Sequence, residues 1–347
     1  MFIYYQNLRK EIDVRQKWLE TVLTGEKKWI LENQGPEGEF YMNGSKAGDV
    51  NPYFACMAAL GLLAETKNCP ITETEKKAVG RYLDWHTGIL LETDGKMGIY
   101  RKKSGKLIYK EKADSEDGYL GMYLFLMGKY LEKTESTDLP EYWKKGISLA
   151  LKKIQSLMQD GITQVSEENT TVYLMDNLEV WKGLYELEHA GLKDVQAIRE
   201  MRNKLQAQIE KLFWDDANQR WRIIENSDLY HQKEFYPDGV AQIYPLIYEF
   251  PVKEKKKQKI LYKQFTERFQ WQKLTKKRNG FLWAMTGMAA AQMGDINNLL
   301  EMIRNYEAEY CENRKYPLYT GEAGWICMEC EKLYSLYERK IKTGFLV

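Results

Sequence analysis

Five carboxylates stand at or beside the starts of predicted helices, where they could act as pairs. Asp114 and Asp117 open one helix ("ADSEDGYLGM") and Asp176 opens another ("YLMDNLEVW"). Two more helix starts carry an acid each, Asp238 ("FYPDGVAQIY") and Glu322 ("YTGEAGW"). Like charges confined in one cleft raise one another's pKa, so one acid can stay protonated while another ionises. Such a pair suits cleavage of a glycosidic bond, because one carboxyl protonates the leaving oxygen and the other activates water or attacks the sugar.

Helix capping explains each of these acids taken singly. Asp is a favoured N-cap, and an acid in the first turn is stabilised by the helix dipole by about 0.3–1 kcal/mol. In "ADSEDGY", Asp114 or Ser115 could cap the helix while Asp117 reaches back to it. Four helices that direct acids into one shared mouth are better explained by a site. We therefore predict Asp176 as the general acid/base and Asp117 or Asp114 as its charged partner, with Asp238 and Glu322 as further candidates.

Aromatic residues are abundant, with 24 Tyr and 10 Trp. Tyr and Trp offer flat apolar faces with a polar tip, which suit surfaces that hold sugar rings. The residues predicted to contact substrate are Tyr41, Tyr53, Trp181, Tyr236, Trp283, Trp325 and, in the long loop before Asp238, His231. No Ser or Cys stands at motif spacing from a His, and neither a phosphate loop nor an HExxH motif is present. The sequence predicts no cofactor and no metal site.

The elements that must position these residues are almost all helices, because apolar residues recur three and four positions apart. About twelve helices are predicted, starting near residues 10, 51, 72, 115, 140, 171, 195, 236, 254, 281, 295 and 321. The odd-numbered helices have one apolar stripe, as in "PEYWKKGISLALKKIQSLM", and belong to an outer layer. The even-numbered ones are apolar nearly all round, as in "GYLGMYLFLMGKYL", and are predicted to be buried on every side.

The connections alternate as well, which indicates a repeat of helical hairpins. Links from an outer to an inner helix are long and rich in Gly, Asp, Asn and aromatics, as in "ENQGPEGEFYMNGSKAGDVNPY". Long loops gathered on one face of a rigid scaffold are where sites are usually built. Six hairpins predict an all-α fold, a closed (α/α)6 toroid that forms one domain over residues 1–347. An open superhelical stack is the alternative, because periodicity alone does not show closure.

The composition limits the classes of molecule that the protein is expected to bind. A net charge of +1 provides no field to attract nucleic acid or an anionic membrane, and no apolar run is long enough to span a bilayer. The N-terminal residues do not resemble a signal peptide, and five Cys fit reduced thiols, so a cytoplasmic location is expected. Cys327 and Cys330 form a C-x-x-C pair within an apolar helix and are interpreted as buried core residues. The expected partner is an oligosaccharide substrate.

The chain resembles the six-hairpin glycosidase superfamily over its whole length. "EDGYLGMYLFLMGKYLE" is similar to the Asp-Gly-x-Leu helix start of toroidal endoglucanases, which implies that Asp117 supports the reacting sugar. "YLMDNLEVWKGLYEL" is similar to an inner helix of unsaturated glucuronyl and rhamnogalacturonyl hydrolases, which implies that Asp176 is the general acid/base. "LFWDDANQRWRI" resembles an outer-helix exit common across the superfamily. The resemblance implies a glycoside hydrolase, and the lack of a recognisable signal peptide favours short or modified oligosaccharides over whole polysaccharide as the substrate.

Three other functions fit part of the pattern. A sugar-binding or scaffold protein would keep the ring without the chemistry. A terpene-cyclase-like toroid is suggested by "DSED", which resembles an Asp-x-Asp-Asp proton donor, and by "QGPEGEF". A toroidal polysaccharide lyase would need a Tyr/His pair, for which His231 with Tyr230 or Tyr236 is the candidate.

Overall fold

The computed structural model describes residues 2–44, 48–103, 106–136, 139–225, 234–274, 278 and 280–343. Within these ranges there are twelve α-helices in two layers. The outer layer comprises α1 (Phe2–Glu32), α3 (Glu73–Glu92), α5 (Glu141–Leu157), α7 (Gln196–Phe213), α9 (Lys255–Phe269) and α11 (Ile296–Tyr306). The inner layer comprises α2 (Pro52–Leu62), α4 (Glu116–Thr134), α6 (Leu174–His189), α8 (Val240–Ile247), α10 (Thr286–Met293) and α12 (Thr320–Thr343).

The inner helices form a closed ring. Each packs against the next in the order α2, α4, α6, α8, α10 and α12, and α12 packs back against α2. The closed toroid predicted from the alternation of inner and outer helices is therefore confirmed, and an open stack is excluded. The inner helices are apolar on every side because they face both the ring axis and the outer layer.

Most helices begin within a few residues of their predicted starts, and the late starts of α8 and α10 have local causes. α8 begins at Val240 because Tyr236 has extended backbone angles and a short π-helical turn, Phe235–Gly239, precedes the helix. α10 begins at Thr286 because Trp283 has a φ of 60°, which an α-helix does not permit. α1 begins at Phe2, eight residues before the predicted start.

Short strands line the loop face of the ring. β1 (Asp49–Val50), β2 (Gly98–Lys103) and β3 (Lys106–Lys112) form an antiparallel sheet in the order β1-β2-β3. Two small hairpins follow, β4 (Met158–Gln159) with β5 (Ile162–Thr163) and β6 (Trp214–Asp215) with β7 (Arg220–Trp221). The β2–β3 hairpin lies in the long connection between α3 and α4, and the sequence of β3 gives little strand signal because β3 is exposed on both faces and lacks the alternation of a half-buried strand.

Glycines set the distance between α4 and α6. A Cβ atom at Gly121 would lie 2.7 Å from the backbone nitrogen of Val180, and one at Gly183 would lie 2.3 Å from the carbonyl oxygen of Gly121. No side chain fits at either position without moving a backbone. The close approach of these helices brings the acids at the start of α4 beside those at the start of α6.

Candidate active site

A cavity of about 690 Å³ opens at the N-terminal ends of the inner helices. This main cavity is within the size range of small-molecule sites. Its aromatic lining consists of Tyr53, Phe54, Tyr119, Tyr236, Tyr244, Phe281, Trp283, Tyr319 and Trp325. Its carboxylates are Asp49, Glu111, Asp114, Asp176, Glu179 and Glu322. The long loops and inner-helix starts therefore meet in one place, as the repeat pattern predicts.

A second cavity of about 450 Å³ adjoins the first. The two share five lining residues, Asp114, Ser115, Met175, Asp176 and Tyr236. The second cavity also has apolar lining from Ile223, Ile224 and Pro237. Asp114 and Asp176 thus stand where the two cavities meet.

Asp176 lies in the first turn of α6, but it does not cap that helix, whose N-cap is Tyr173 without a side-chain cap bond. Its carboxyl borders both cavities. Burial, followed by the negative charges of Asp117 and Glu179, raises the pKa of Asp176 well above its usual value. A protonated carboxyl here can donate a proton to a bound ligand.

Asp117 is fully buried and lines neither cavity. One oxygen, Oδ1, accepts hydrogen bonds from the Ser115 hydroxyl at 2.8 Å and the Gly118 amide at 3.0 Å. Its other oxygen, Oδ2, accepts a 2.7 Å bond from the hydroxyl of Thr163. Burial raises the pKa of Asp117 to about 6, although these bonds lower it. Asp117 therefore influences a ligand in the cavity through its effect on the pKa of Asp176.

The same bonds settle how α4 begins. Ser115 is the N-cap, since its hydroxyl accepts a 3.2 Å bond from the Gly118 amide, while Asp114 is exposed at the cavity mouth. The backbone amide of Thr163, on β5, donates a 2.9 Å hydrogen bond to Oδ1 of Asn177 on α6. The β4–β5 hairpin thereby ties the starts of α4 and α6 together.

Glu179 was missed by sequence reasoning, although it is central to the site. It lies one turn after Asp176 on the same face of α6 and is almost completely buried against the main cavity. Its Oε1 accepts hydrogen bonds from the hydroxyls of Tyr53, Tyr244 (2.6 Å) and Tyr248 (3.3 Å). Burial raises the pKa of Glu179 to about 8 despite these bonds. The available signal was an acid three residues after Asp176, one turn along the same face of an inner helix.

The two further acid candidates have different surroundings. Glu322 accepts hydrogen bonds from the backbone amides of Leu282, Trp283 and Ala284 at 2.8–3.1 Å, so it fixes the segment that leads into α10. Burial raises the pKa of Glu322 to about 7 against these three donors. Asp238 is buried beside the second cavity, in the turn before α8.

The predicted aromatic residues divide into two groups. Tyr53, Tyr236, Trp283 and Trp325 line the main cavity, and the rings of Tyr236 and Trp283 lie 4.8 Å apart. Phe54 and Phe281, which were not predicted, stack with ring centroids 5.4 Å apart on the same side.

Tyr41 and Trp181 belong to the core instead. Trp181 stacks on Tyr185 and donates a 3.3 Å bond to Gln206, while Tyr41 donates a 2.7 Å bond to Glu39. Neither lines the cavities, so the predicted contact with substrate does not carry over to them. In an inner helix that is buried on nearly every side, such as α6, the sequence gives no signal of which Trp faces the axis. His231 and Tyr230 lie outside the described residues.

Basic residues reach the mouth from β3. Lys110 pairs with Asp49 at 3.0 Å, and Lys112 pairs with Glu116 at 3.3 Å and Glu168 at 2.7 Å. Among the described residues, no group of three His, Cys, Asp or Glu side chains could hold a metal ion. None of the helices in the described ranges combines the length and apolar character that crossing a bilayer requires.

Comparison with solved structures finds the same architecture in enzymes. A wild-type glycosidase aligns with a TM-score of 0.65 at 11% identity, over 93% of this chain and 98% of that one. A D-mannose isomerase aligns with a TM-score of 0.61 at 12% identity, over 92% and 97% of the two chains. A GH76 α-mannanase of Bacteroides thetaiotaomicron aligns with a TM-score of 0.54 at 11% identity, over 93% and 97%.

No family model matches the sequence, and no curated protein is similar to it in sequence. At identities of 11–12% the likeness to solved structures concerns the fold. The chain therefore has the (α/α)6 toroid fold, which it shares with toroidal enzymes that include glycosidases and a mannanase.

Proposed function

We propose that the protein is a glycoside hydrolase in which Asp176 is the proton donor and Asp114 is the second carboxylate. The observation that carries the proposal is the contrast between two acids at the junction of the cavities. Asp176 is held among buried acids that favour its protonated form, whereas Asp114 is exposed to water. Two carboxyl groups in environments that differ in this way mark an acid and a base.

The roles follow from these positions. Asp176 gives its proton to the glycosidic oxygen as the bond from that oxygen to the anomeric carbon breaks. Asp114, at the solvated mouth, takes a proton from the water whose oxygen attacks the anomeric carbon. Asp117 is a positioning residue, because it does not line the cavity. Its charge raises the pKa of Asp176, and it accepts a hydrogen bond from Ser115, which also contacts Asp176.

The lining suits a sugar. Trp283 and Tyr236 form an aromatic surface on one side of the main cavity, and Phe54 and Phe281 extend it. Aromatic faces pack against the C–H faces of sugar rings while hydroxyls reach polar groups. Solved structures with this fold include proteins named as a glycosidase and an α-mannanase, which supports the same class of reaction here.

The test is a screen of purified protein against a panel of oligosaccharides, with Asp176→Asn and Asp114→Asn beside the wild type. Asp194→Asn is the matched control, since Asp194 is exposed in the loop beyond the C-terminal end of α6, whereas Asp176 lies in the first turn of that helix. We expect cleavage of at least one member, lost in both site variants and retained in the control. Sugar binding without turnover in the native protein would contradict the proposal and favour a non-catalytic sugar-binding protein.

A further inference from the structure

We propose that Tyr53, Glu179 and Tyr244 form a closed floor that binds the terminal residue of a neutral sugar chain through its hydroxyl groups. This inference rests on the proposed function and names its substrate class, a glycoside attacked from a chain end. The three residues come from three inner helices, α2, α6 and α8, and all of them line the main cavity.

The hydrogen bonds leave the floor rich in acceptors. The hydroxyls of Tyr53 and Tyr244 both donate their hydrogen bonds to Oε1 of Glu179. The two tyrosine oxygens, 3.4 Å apart, then have only acceptor capacity left to offer a ligand in the cavity. Glu179 Oε2 lies on the α4 side, where a Cβ at Gly118 would be 2.6 Å from it. Sugar hydroxyls, which donate as well as accept, match such a surface.

The ring is closed beneath this floor. Tyr248, which is fully buried, packs against Tyr244, Phe125 and Trp325 with ring centroids 5.1–6.4 Å apart. Its hydroxyl also lies 3.7 Å from the sulfur of Met122. Below these residues Lys182, itself buried, pairs with Glu186 at 2.8 Å and Glu249 at 2.9 Å. A sugar chain cannot pass along the axis, so a residue on the floor must be the end of its chain.

The carboxyl groups around the floor disfavour the binding of acidic sugars. Asp176 lines the cavity beside Glu179, Asp117 is buried close to both, and Asp114 is exposed at the mouth of the cavity. The basic residues that line the cavity, Lys110 and Lys112, are on β3 and are already paired with carboxylates. This buried cluster favours the protonated forms of Asp176 and Glu179, so it would also disfavour the ionised carboxylate of a uronate, whereas a neutral sugar carries no such charge.

A binding experiment tests the floor without requiring turnover. Glucose, mannose, galactose, glucuronate and galacturonate would each be titrated by ligand-observed NMR into wild type, Glu179→Gln and Tyr244→Phe. We expect a neutral hexose to bind, each site variant to weaken it roughly tenfold or more, and the matching uronate to bind more weakly. Tighter binding of uronates, or unchanged affinity in Glu179→Gln, would overturn the inference.

Tyr306→Phe is the matched control. Tyr306 also donates from a fully buried position to a carboxylate, Glu26, at 2.7 Å, but between α11 and α1. It should lose stability and keep sugar affinity. If it loses affinity as Tyr244→Phe does, the effect is general destabilisation and the floor assignment fails.

A second readout tests attack from the chain end. A cleaved oligosaccharide should release monosaccharide first, and the same oligosaccharide with a benzylidene-blocked terminal residue should resist cleavage. Internal fragments as first products would overturn the inference. Asp176-dependent cleavage with Glu179-independent binding would remove the floor and leave the hydrolase proposal intact. Glu179-dependent binding without cleavage of any substrate would support the floor and remove the hydrolase.

Discussion

The hydroxyl of Tyr244 donates a 2.6 Å hydrogen bond to Oε1 of Glu179, joining α8 to its neighbour α6 in the ring. The bond holds a carboxyl in an interior where burial dominates and raises the pKa of Glu179 to about 8. The protonated form is therefore favoured in the folded state relative to the unfolded chain, in which a Glu has a pKa of about 4.3.

This shift predicts how stability changes with pH. Between about pH 4.3 and 8 the folded state binds more protons than the unfolded state, so the free energy of unfolding falls as pH rises. Glu179→Gln removes this titration and should flatten the decline. Chemical denaturation at intervals from pH 5 to 8.5 measures the two slopes. Glu301→Gln, an exposed change on α11, should leave the wild-type slope, and equal slopes in all three proteins would contradict the account.

Asp117→Asn is predicted to change the pH dependence of activity. The charge of Asp117 helps to raise the pKa of Asp176, and a proton donor loses activity as pH rises through its pKa. Removing that charge should move the alkaline limb of the kcat/KM profile to lower pH. Asp194→Asn should leave the limb in place. An unmoved limb in Asp117→Asn would show that Asp117 does not act through Asp176.

Gly121→Ala tests the spacing of α4 and α6. The new Cβ would lie 2.7 Å from the Val180 nitrogen, so the helices must separate, which should cost about 1–3 kcal/mol and lower activity. Gly25→Ala on α1 is the matched control because no atom lies within 4 Å of its Cβ. It should stabilise the protein by about 0.4–1 kcal/mol. Thermal unfolding and kcat/KM measure both, and a neutral Gly121→Ala would contradict the packing argument.

Two tryptophans are predicted to respond differently to the same substitution. Trp283→Leu removes an aromatic surface from the cavity and should weaken sugar binding roughly tenfold. Trp181→Leu removes a core ring that stacks on Tyr185, so it should cost about 1–3 kcal/mol of stability and leave affinity unchanged. Titration and thermal unfolding of both variants separate the two effects. Lost affinity in Trp181→Leu alone would reverse the assignment.

The sequence predicts the ring well because its two signals are local. Apolar residues all round one helix and along one stripe of the next distinguish inner from outer helices such as α4 and α5. The start of α6 is predicted for the same reason, which places Asp176 near the mouth. The sequence does not predict which side chains meet between helices, because those contacts depend on how each helix is rotated about its own axis.

Glu179 and Trp181 illustrate that limit. Both lie in the inner helix α6, two residues apart, yet one borders the cavity and the other packs towards α7. The polar residues of α6 are not confined to one face, so its sequence does not show how the helix is rotated and does not distinguish the two roles. The tyrosines around Glu179 come from α2 (Tyr53) and from α8 and its C-terminal end (Tyr244 and Tyr248), which are far apart in the chain, and only the closed ring brings them together.

The most direct test of the proton-donor role of Asp176 compares leaving groups. A dinitrophenolate leaves without protonation, whereas a sugar alkoxide needs a proton. We would measure kcat/KM of wild type and Asp176→Asn on a cleaved oligosaccharide and on the dinitrophenyl glycoside of its terminal sugar. The account predicts a loss on the order of 10²–10⁴-fold for the oligosaccharide and a much smaller loss for the dinitrophenyl glycoside. Equal losses on both substrates, or none on either, would contradict it.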